Sequence, residues 1–297
     1  MWRSYILFCS YFDLPLLPAT SKSFSLYAHV LSRSMTIETI KNNLSAVKKL
    51  HHMHNIHTDE FDHIYLTDTV RALERLIGRP PNRKLPITPH LLRRIYSVLD
   101  LSKPKHAALW SSFLIAFFTF SRKSNVVPPS ATSFDTSKHL TRGDIVFSQN
   151  KLIICFRWSK TNQFHSRVVH LPITHIPDSL FCPVQAFSNL IRLAPASQHS
   201  PAFSYATAPL RFLTYDSFTT GLKASLARIG IDHTRYSGHS FRRGGATLAF
   251  SSDVAGELIR SHGDWRSAAY LSYLEFDMQT KLSVTQLMCH KISSLPS

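Results

Sequence analysis

One short stretch near the end of the first third of the chain, Arg79-Pro80-Pro81-Asn82-Arg83-Lys84-Leu85-Pro86, constrains the fold most. Neither a helix nor a central strand can run through it. Consecutive prolines remove backbone donors, and each proline pushes the residue before it toward extended geometry. The chain therefore divides into a domain over 1–78, a linker over 79–87 and a larger domain over 88–297. With 297 residues, 44% of them hydrophobic, both parts have enough apolar material for a core.

Before the break, Ile37, Ile40, Leu44 and Val47 recur at helical spacing, with Lys41, Lys48 and Lys49 off that stripe. This predicts an amphipathic helix from Thr36 to about His54 with a basic outer face. A second helix is expected from about Thr67 to Ile77, stopped at Gly78. The opening residues MWRSYILFCSYF read as though already inside a helix, which suggests a domain that starts upstream. They carry no signal-peptide cleavage pattern.

After the break, Thr88-Pro89 is a cap followed by proline at the first helical position, opening a helix through Asp100. The run Ala107 to Phe120 is too short to cross a bilayer and predicts a buried core helix. Between Asp144 and Leu171 the pattern changes to short β-branched and aromatic runs, which reads as a small antiparallel sheet with a loop at Lys160. Helical stretches follow near Val184 to Leu193, Asp216 to Arg228, Ser240 to Phe250, Asp253 to Ser261 and Arg266 to Glu275. The fold class is thus mainly α with one small antiparallel β-sheet.

The 34 Lys and Arg against 18 Asp and Glu leave a formal charge of +16, which points to a polyanionic partner. Cys9, Cys155, Cys182 and Cys289 are scattered, with no C-x-x-C, and suit a reducing compartment. No phosphate-binding or dinucleotide-binding glycine motif occurs, so nucleotide hydrolysis and dinucleotide redox chemistry have no support. The His51, His52, His54 and His57 cluster lacks a carboxylate or cysteine pattern to complete a tetrahedral metal site. No metal, cofactor or membrane is expected.

The chemistry concentrates in five positions in order: Arg122, Lys160, His239, Arg242 and Tyr273. A phosphodiester attacked by a side-chain hydroxyl needs a group that handles protons, cations on the non-bridging oxygens and the nucleophile itself. Arg243 is the alternative guanidinium if the register is one residue off.

In this order the residues resemble the tyrosine recombinase family, or phage-type integrases, and particularly the recombinases of eukaryotic mobile elements of the Crypton and DIRS kind. The resemblance spans nearly the whole chain. It implies a helical SAM-like core-binding domain over 1–78, N-terminally truncated, and a tyrosine-recombinase catalytic domain over 88–297. In this family the nucleophile commonly lies ten residues after a glycine, and Gly263 plus ten is Tyr273. Tyr270, a turn earlier, then becomes a packing residue. The resemblance implies that Arg122 and Arg242 grip the phosphate, with His239 as candidate base and Lys160 as candidate acid on the leaving 5′ oxygen. The product is a 3′-phosphotyrosine link, and because the ester energy is retained, religation needs neither ATP nor metal.

Two positions depart from the family pattern. Asp264 stands where His or Trp is usual, so His262 or Trp265 is expected to take over that place. Asn125 stands where a glutamate that orients the arginine is common. These departures keep open a domesticated or decayed protein that binds DNA without cutting it. A transposase using acidic residues and magnesium is a third reading, with Asp144, Asp253 and Asp264 as nominees. The basic residues expected to contact DNA are Lys41, Lys48, Lys49, Arg71 and Arg75 in the first domain, Arg79, Arg83 and Lys84 in the linker, and Arg93, Arg94, Arg157 and Arg167 in the second. The expected partner is double-stranded DNA, gripped by a tetramer on two duplexes when active, with a nuclear location in a eukaryote.

Overall fold

The computed structural model describes residues 2–56, 59–78, 83–158, 167–274 and isolated positions 278, 282, 285–286 and 288–289. The chain forms two compact units, 1–82 and 83–297.

The first unit contains α1 (Trp2–Tyr11), α2 (Ser21–Ser32), α3 (Ile37–Met53) and α4 (Ile64–Ile77). The amphipathic helix expected from Thr36 is α3, capped by the Thr36 hydroxyl on the Thr39 N–H. Helix α4 starts three residues before the expected Thr67 because the His63 ring accepts the Tyr65 N–H. Helix α2 was not expected from the sequence; Thr20 and Ser23 form a reciprocal capping box at its start. Tyr5, Phe24, Tyr27, Ile40 and Val47 make the centre of this core. His51 belongs to it as well. It is fully buried, its Nε2 accepts the Ala19 N–H at 2.8 Å, and its Nδ1 bonds to the Val47 carbonyl at 3.0 Å. That explains one member of the histidine cluster by packing, and no metal-holding group of His, Cys, Asp or Glu occurs among the described residues. His57 lies outside the described residues.

The second unit takes in the latter half of the expected linker. The Leu85 N–H bonds to the Arg235 carbonyl, and the Ile87 N–H to the Ser240 carbonyl. Ile87 itself is fully buried, so the segment from Leu85 is a part of the core and not a tether. Helix α5 (Pro89–Tyr96) begins at the predicted Thr88 cap but stops four residues short of Asp100. Helix α6 (Pro104–Phe118) is apolar around its whole circumference and runs through the centre of the unit. The short α7 (Lys123–Val126) follows it.

Strands β1 (Ile145–Ser148), β2 (Lys151–Phe156) and β3 (Val169–Thr174) form an antiparallel sheet in the order β1-β2-β3. Strand β2 alternates strictly, burying Leu152, Ile154 and Phe156 against the core. Its partner β3 begins at Val169 and runs three residues past the expected Leu171. After α8 (Pro183–Leu193) comes a second sheet that the sequence did not announce, the hairpin β4 (Ser204–Thr207) and β5 (Leu210–Phe212). Helices α9 (Tyr215–Arg228), α10 (His239–Ser251) and α11 (Gly256–His262) complete the unit. The last expected helix is instead a 3-10 turn, Ala268–Tyr273. Among the described residues, no helix is long and apolar enough to cross a membrane.

Candidate active site

The site is built where two helices end. Helix α6 closes in a Schellman turn: Phe120 takes the left-handed conformation at φ 49°, its N–H bonds to the Phe117 carbonyl, and the Ser121 N–H bonds back to Ala116. Helix α11 closes the same way. Asp264 takes φ 52°, its N–H bonds to Ser261, and the Trp265 N–H bonds back to Arg260 at 3.0 Å. Phenylalanine is an uncommon occupant of the left-handed region. Its ring is held there by packing on His262 at 4.7 Å and on Trp265 at 6.3 Å.

Arg242, on the second turn of α10, spans these two turns. Its Nη1 donates to the Phe120 carbonyl, and its Nη2 donates to the Gly263 carbonyl at 2.8 Å. A cation at two converging helix C-termini is favourable, because both dipoles present their negative ends there. The Trp265 ring lies 3.6 Å from the guanidinium carbon and completes the cage. Two glycine features allow this. A Cβ on Gly244 would come within 1.9 Å of the Ile87 carbonyl and one on Gly245 within 2.1 Å of the Phe117 carbonyl, so α10 reaches the end of α6 only with the Gly-Gly pair. A Cβ on Gly263 would fall within 1.6 Å of the Trp265 ring.

Arg242 is 2% exposed. Burial first, then the neighbouring Arg122 guanidinium, pull its pKa down, while the Tyr273 side chain, by charge and by hydrogen bonding, and Asp264 push it back up. The guanidinium stays charged at neutral pH. Arg122 sits immediately after the α6 turn as the residue preceding α7, and it lines one recess with Arg242, Asn125, His262 and Asp264. Asn125 is therefore at the recess, where its N–H bonds to the Arg122 carbonyl.

Tyr273 ends the 3-10 turn half-buried, with its ring 5.3 Å from the Arg242 guanidinium carbon and 5.4 Å from the Trp265 ring. It is carried by a small cluster separate from the main core, made of Phe120, Ala246, Ile259, Trp265 and Leu274. Tyr270 packs on Trp265 and Gly256 in the same cluster, which suits a supporting side chain. His239, exposed at the first position of α10, does not line the recess of the two arginines. It shares a neighbouring depression with Tyr273, Arg243, Arg83 and Lys84. Arg242 and Tyr273 therefore join two cationic hollows. Lys160 lies outside the described residues.

His262 and Trp265, the two residues expected at the place Asp264 leaves, sit differently. His262 Nε2 bonds to the Phe118 carbonyl at 2.8 Å while its ring faces the recess. Trp265 is 8% exposed and stacks on Arg242. Asp264, also at the recess, pairs with Arg167. The sequence marked Asp264 as out of pattern, but its cationic partner, nearly a hundred positions away, left no local signal.

Several cations nominated for DNA have partners in the protein itself. Arg157 closes on the buried Asp144 carboxylate at 2.5 Å, and Arg94 donates to the Ile229 carbonyl at 2.5 Å, so both have structural roles that their sequence positions did not reveal. Arg93 lies over the Phe181 ring, Lys84 donates to the Thr234 carbonyl and Arg83 to Ser272. In the first unit, Lys41 pairs with Glu74, Lys48 with Asp62 at 3.8 Å and Arg71 with Asp68 at 3.5 Å. These are exposed pairs, cheap to exchange for phosphate. Lys49 and Arg75 are exposed on α3 and α4, and Arg79 lies outside the described residues.

No family model matches the chain. The chain is 24% identical over 267 residues to an integrase/recombinase xerD homologue of Selenomonas ruminantium, covering 85% of this chain and 72% of the relative. Among solved structures, it resembles the Tn1549 transposon integrase in complex with transposon right end DNA, with a TM-score of 0.65 at 13% identity over 93% and 87% of the two chains. It also resembles a lambda integrase dimer bound to a COC′ core site, with a TM-score of 0.56 at 14% identity over 92% and 70%. The chain thus has the fold of these integrases and is similar in sequence to an integrase/recombinase.

Proposed function

We propose that the protein cuts and rejoins DNA at specific sites through a covalent 3′-phosphotyrosine intermediate. The observation that carries this reading is the caged Arg242, which lies 5.3 Å from the Tyr273 ring and lines one recess with Arg122. The Tyr273 hydroxyl attacks the scissile phosphorus and its proton passes to His239, which shares its depression. Arg122 and Arg242 hold the charge that grows on the non-bridging oxygens. The P–O5′ bond breaks, and Lys160 supplies the proton to the leaving oxygen, a role the family resemblance gives it. Attack by a 5′ hydroxyl on the phosphotyrosine reverses the steps, with no ATP or metal consumed.

The solved relatives hold DNA, which supports double-stranded DNA as partner of this chain. The transposon integrase among them and the Crypton and DIRS likeness support a mobile-element origin. Action as a tetramer on two duplexes, a SAM-like role for the first unit and nuclear work in a eukaryotic host belong to the same reading. Asp264 favours one rival, a protein that keeps the fold and binds DNA without cutting, because a carboxylate at the recess opposes a phosphate.

Nicked duplex DNA incubated with the protein in EDTA tests this. A protein–DNA adduct that survives denaturation, persists in Tyr270→Phe and vanishes in Tyr273→Phe is expected. Tight binding without adduct means the rival is right, and loss of the adduct in Tyr270→Phe alone shifts the nucleophile by one turn.

A further inference from the structure

The acidic residue at the phosphate recess is fixed in place by its backbone. Asp264 occupies the left-handed position of the α11 Schellman turn, and the next residue, Trp265, is bonded back to Arg260 and stacked on Arg242. Moving the carboxylate away by changing the backbone would release Trp265 and dismantle the Arg242 cage. The Asp264 backbone therefore stays at the recess with Arg122 and Arg242, and its carboxylate acts on Arg242 from there. What varies is how strongly that charge is felt.

Arg167 sets this. It lies two residues before β3, and its guanidinium pairs with the Asp264 carboxylate. Arg167 is about half exposed while Asp264 is 21% exposed, and Arg167 lines the adjoining cavity, which shares Val169, Leu171, His262 and Asp264 with the recess. Without this partner, the carboxylate would act as a built-in anion competing with phosphate for the same two guanidinium groups. With it, the recess keeps the charge of two arginines.

We propose that Arg167 is a positioning residue for the phosphate site, which neutralises Asp264 and holds it off so that Arg122 and Arg242 remain open to an incoming phosphodiester. This rests on the recombinase reading above. It differs from a direct contact of Arg167 with DNA, which would need no aspartate.

The test is a mutant cycle on the full chain: Arg167→Ala, Asp264→Asn and the double variant, with Arg167→Lys as the conservative control. Asparagine tolerates the left-handed backbone, so Asp264→Asn removes charge without disturbing the turn. With saturating protein on nicked duplex, Arg167→Ala is expected to slow adduct formation roughly tenfold or more. Arg167→Lys should retain most of the rate, Asp264→Asn should not be slower than the parent, and the double variant should match Asp264→Asn. A double variant as slow as Arg167→Ala would overturn the proposal in favour of direct DNA contact, and an Arg167→Ala variant at the parental rate would overturn it outright.

A second measurement does not depend on cleavage. Inorganic phosphate at millimolar concentration should raise the thermal midpoint of the DNA-free parent, of Asp264→Asn and of the double variant, but not of Arg167→Ala. Equal shifts in the parent and in Arg167→Ala, or no shift in the parent, would sink the idea. A parent that gains from phosphate yet forms no adduct would instead remove the strand-transfer reading and leave this one decided by the titration alone.

Discussion

Arg142 and Arg242 are 7% and 2% exposed, and both are anchored on backbone carbonyls with an aromatic ring alongside. Arg142 donates from Nη2 to Ala194 at 3.1 Å and Ser204 at 2.8 Å, with its guanidinium carbon 5.6 Å from the centre of the Phe187 ring. Its pKa is pulled down to about 10 by burial alone. Arg242 is under the same burial, but its pKa also answers to Arg122, Tyr273 and Asp264. Burial and carbonyl ligation therefore do not by themselves separate a structural arginine from one with the role proposed for Arg242. The difference lies in what else converges on the group: a second cation and a hydroxyl at a recess point to chemistry, and a ring with two carbonyls points to packing.

This contrast can be broken by experiment. The largest expected effect is on Arg242→Lys, where a single ammonium cannot span two carbonyls and a phosphate. Adduct formation should fall by about 10²–10³ while DNA binding in a gel-shift titration changes little. Equal activity would place Arg242 with Arg142. Next is Trp265→Leu, which removes the ring on Arg242 but keeps an apolar filler. A loss of about tenfold in adduct rate is expected from a desolvated cation–π contact of that strength. Gly263→Ala forces a Cβ onto the Trp265 ring, and a loss of about 1–3 kcal/mol in denaturant unfolding is expected, relieved in part by Gly263→Ala with Trp265→Leu. The smallest effect on chemistry is expected for Arg142→Met. It should lower stability by about 1–3 kcal/mol through the orphaned carbonyls, yet leave the adduct rate per folded molecule at the parental value. A selective loss of rate there would show that the two arginines are not different in kind.

Local patterns carried much of the fold. The stripe Ile37, Ile40, Leu44 and Val47 gave α3, the Thr88-Pro89 pair gave the start of α5, and strict alternation in KLIICF gave β2. The misses have local causes of another kind. Helix α2 has a polar start whose cap is a serine-threonine exchange, and the 3-10 turn carrying Tyr273 has helix-forming residues held in a tighter coil by packing against Trp265 and Phe120. In the site, counting from Gly263 reached Tyr273, and the spacing of His239 and Arg242 placed both on one helix. That His239 and Arg242 face different hollows follows from the helix's rotation against α6.

By itself, the sequence determined the order of the elements, the basic charge and the residue types available for phosphate chemistry, because periodicity, caps and formal charge are properties of neighbours along the chain. Only the tertiary structure decided which cations have partners within the protein, as Arg157 has in Asp144 and Arg94 in Ile229, and which are set at a recess. It also decided that two helix ends, at Phe120 and Gly263, meet around Arg242. A buried guanidinium takes its role from partners that lie more than a hundred and about twenty positions away, and such distances are closed by packing, which no local pattern encodes.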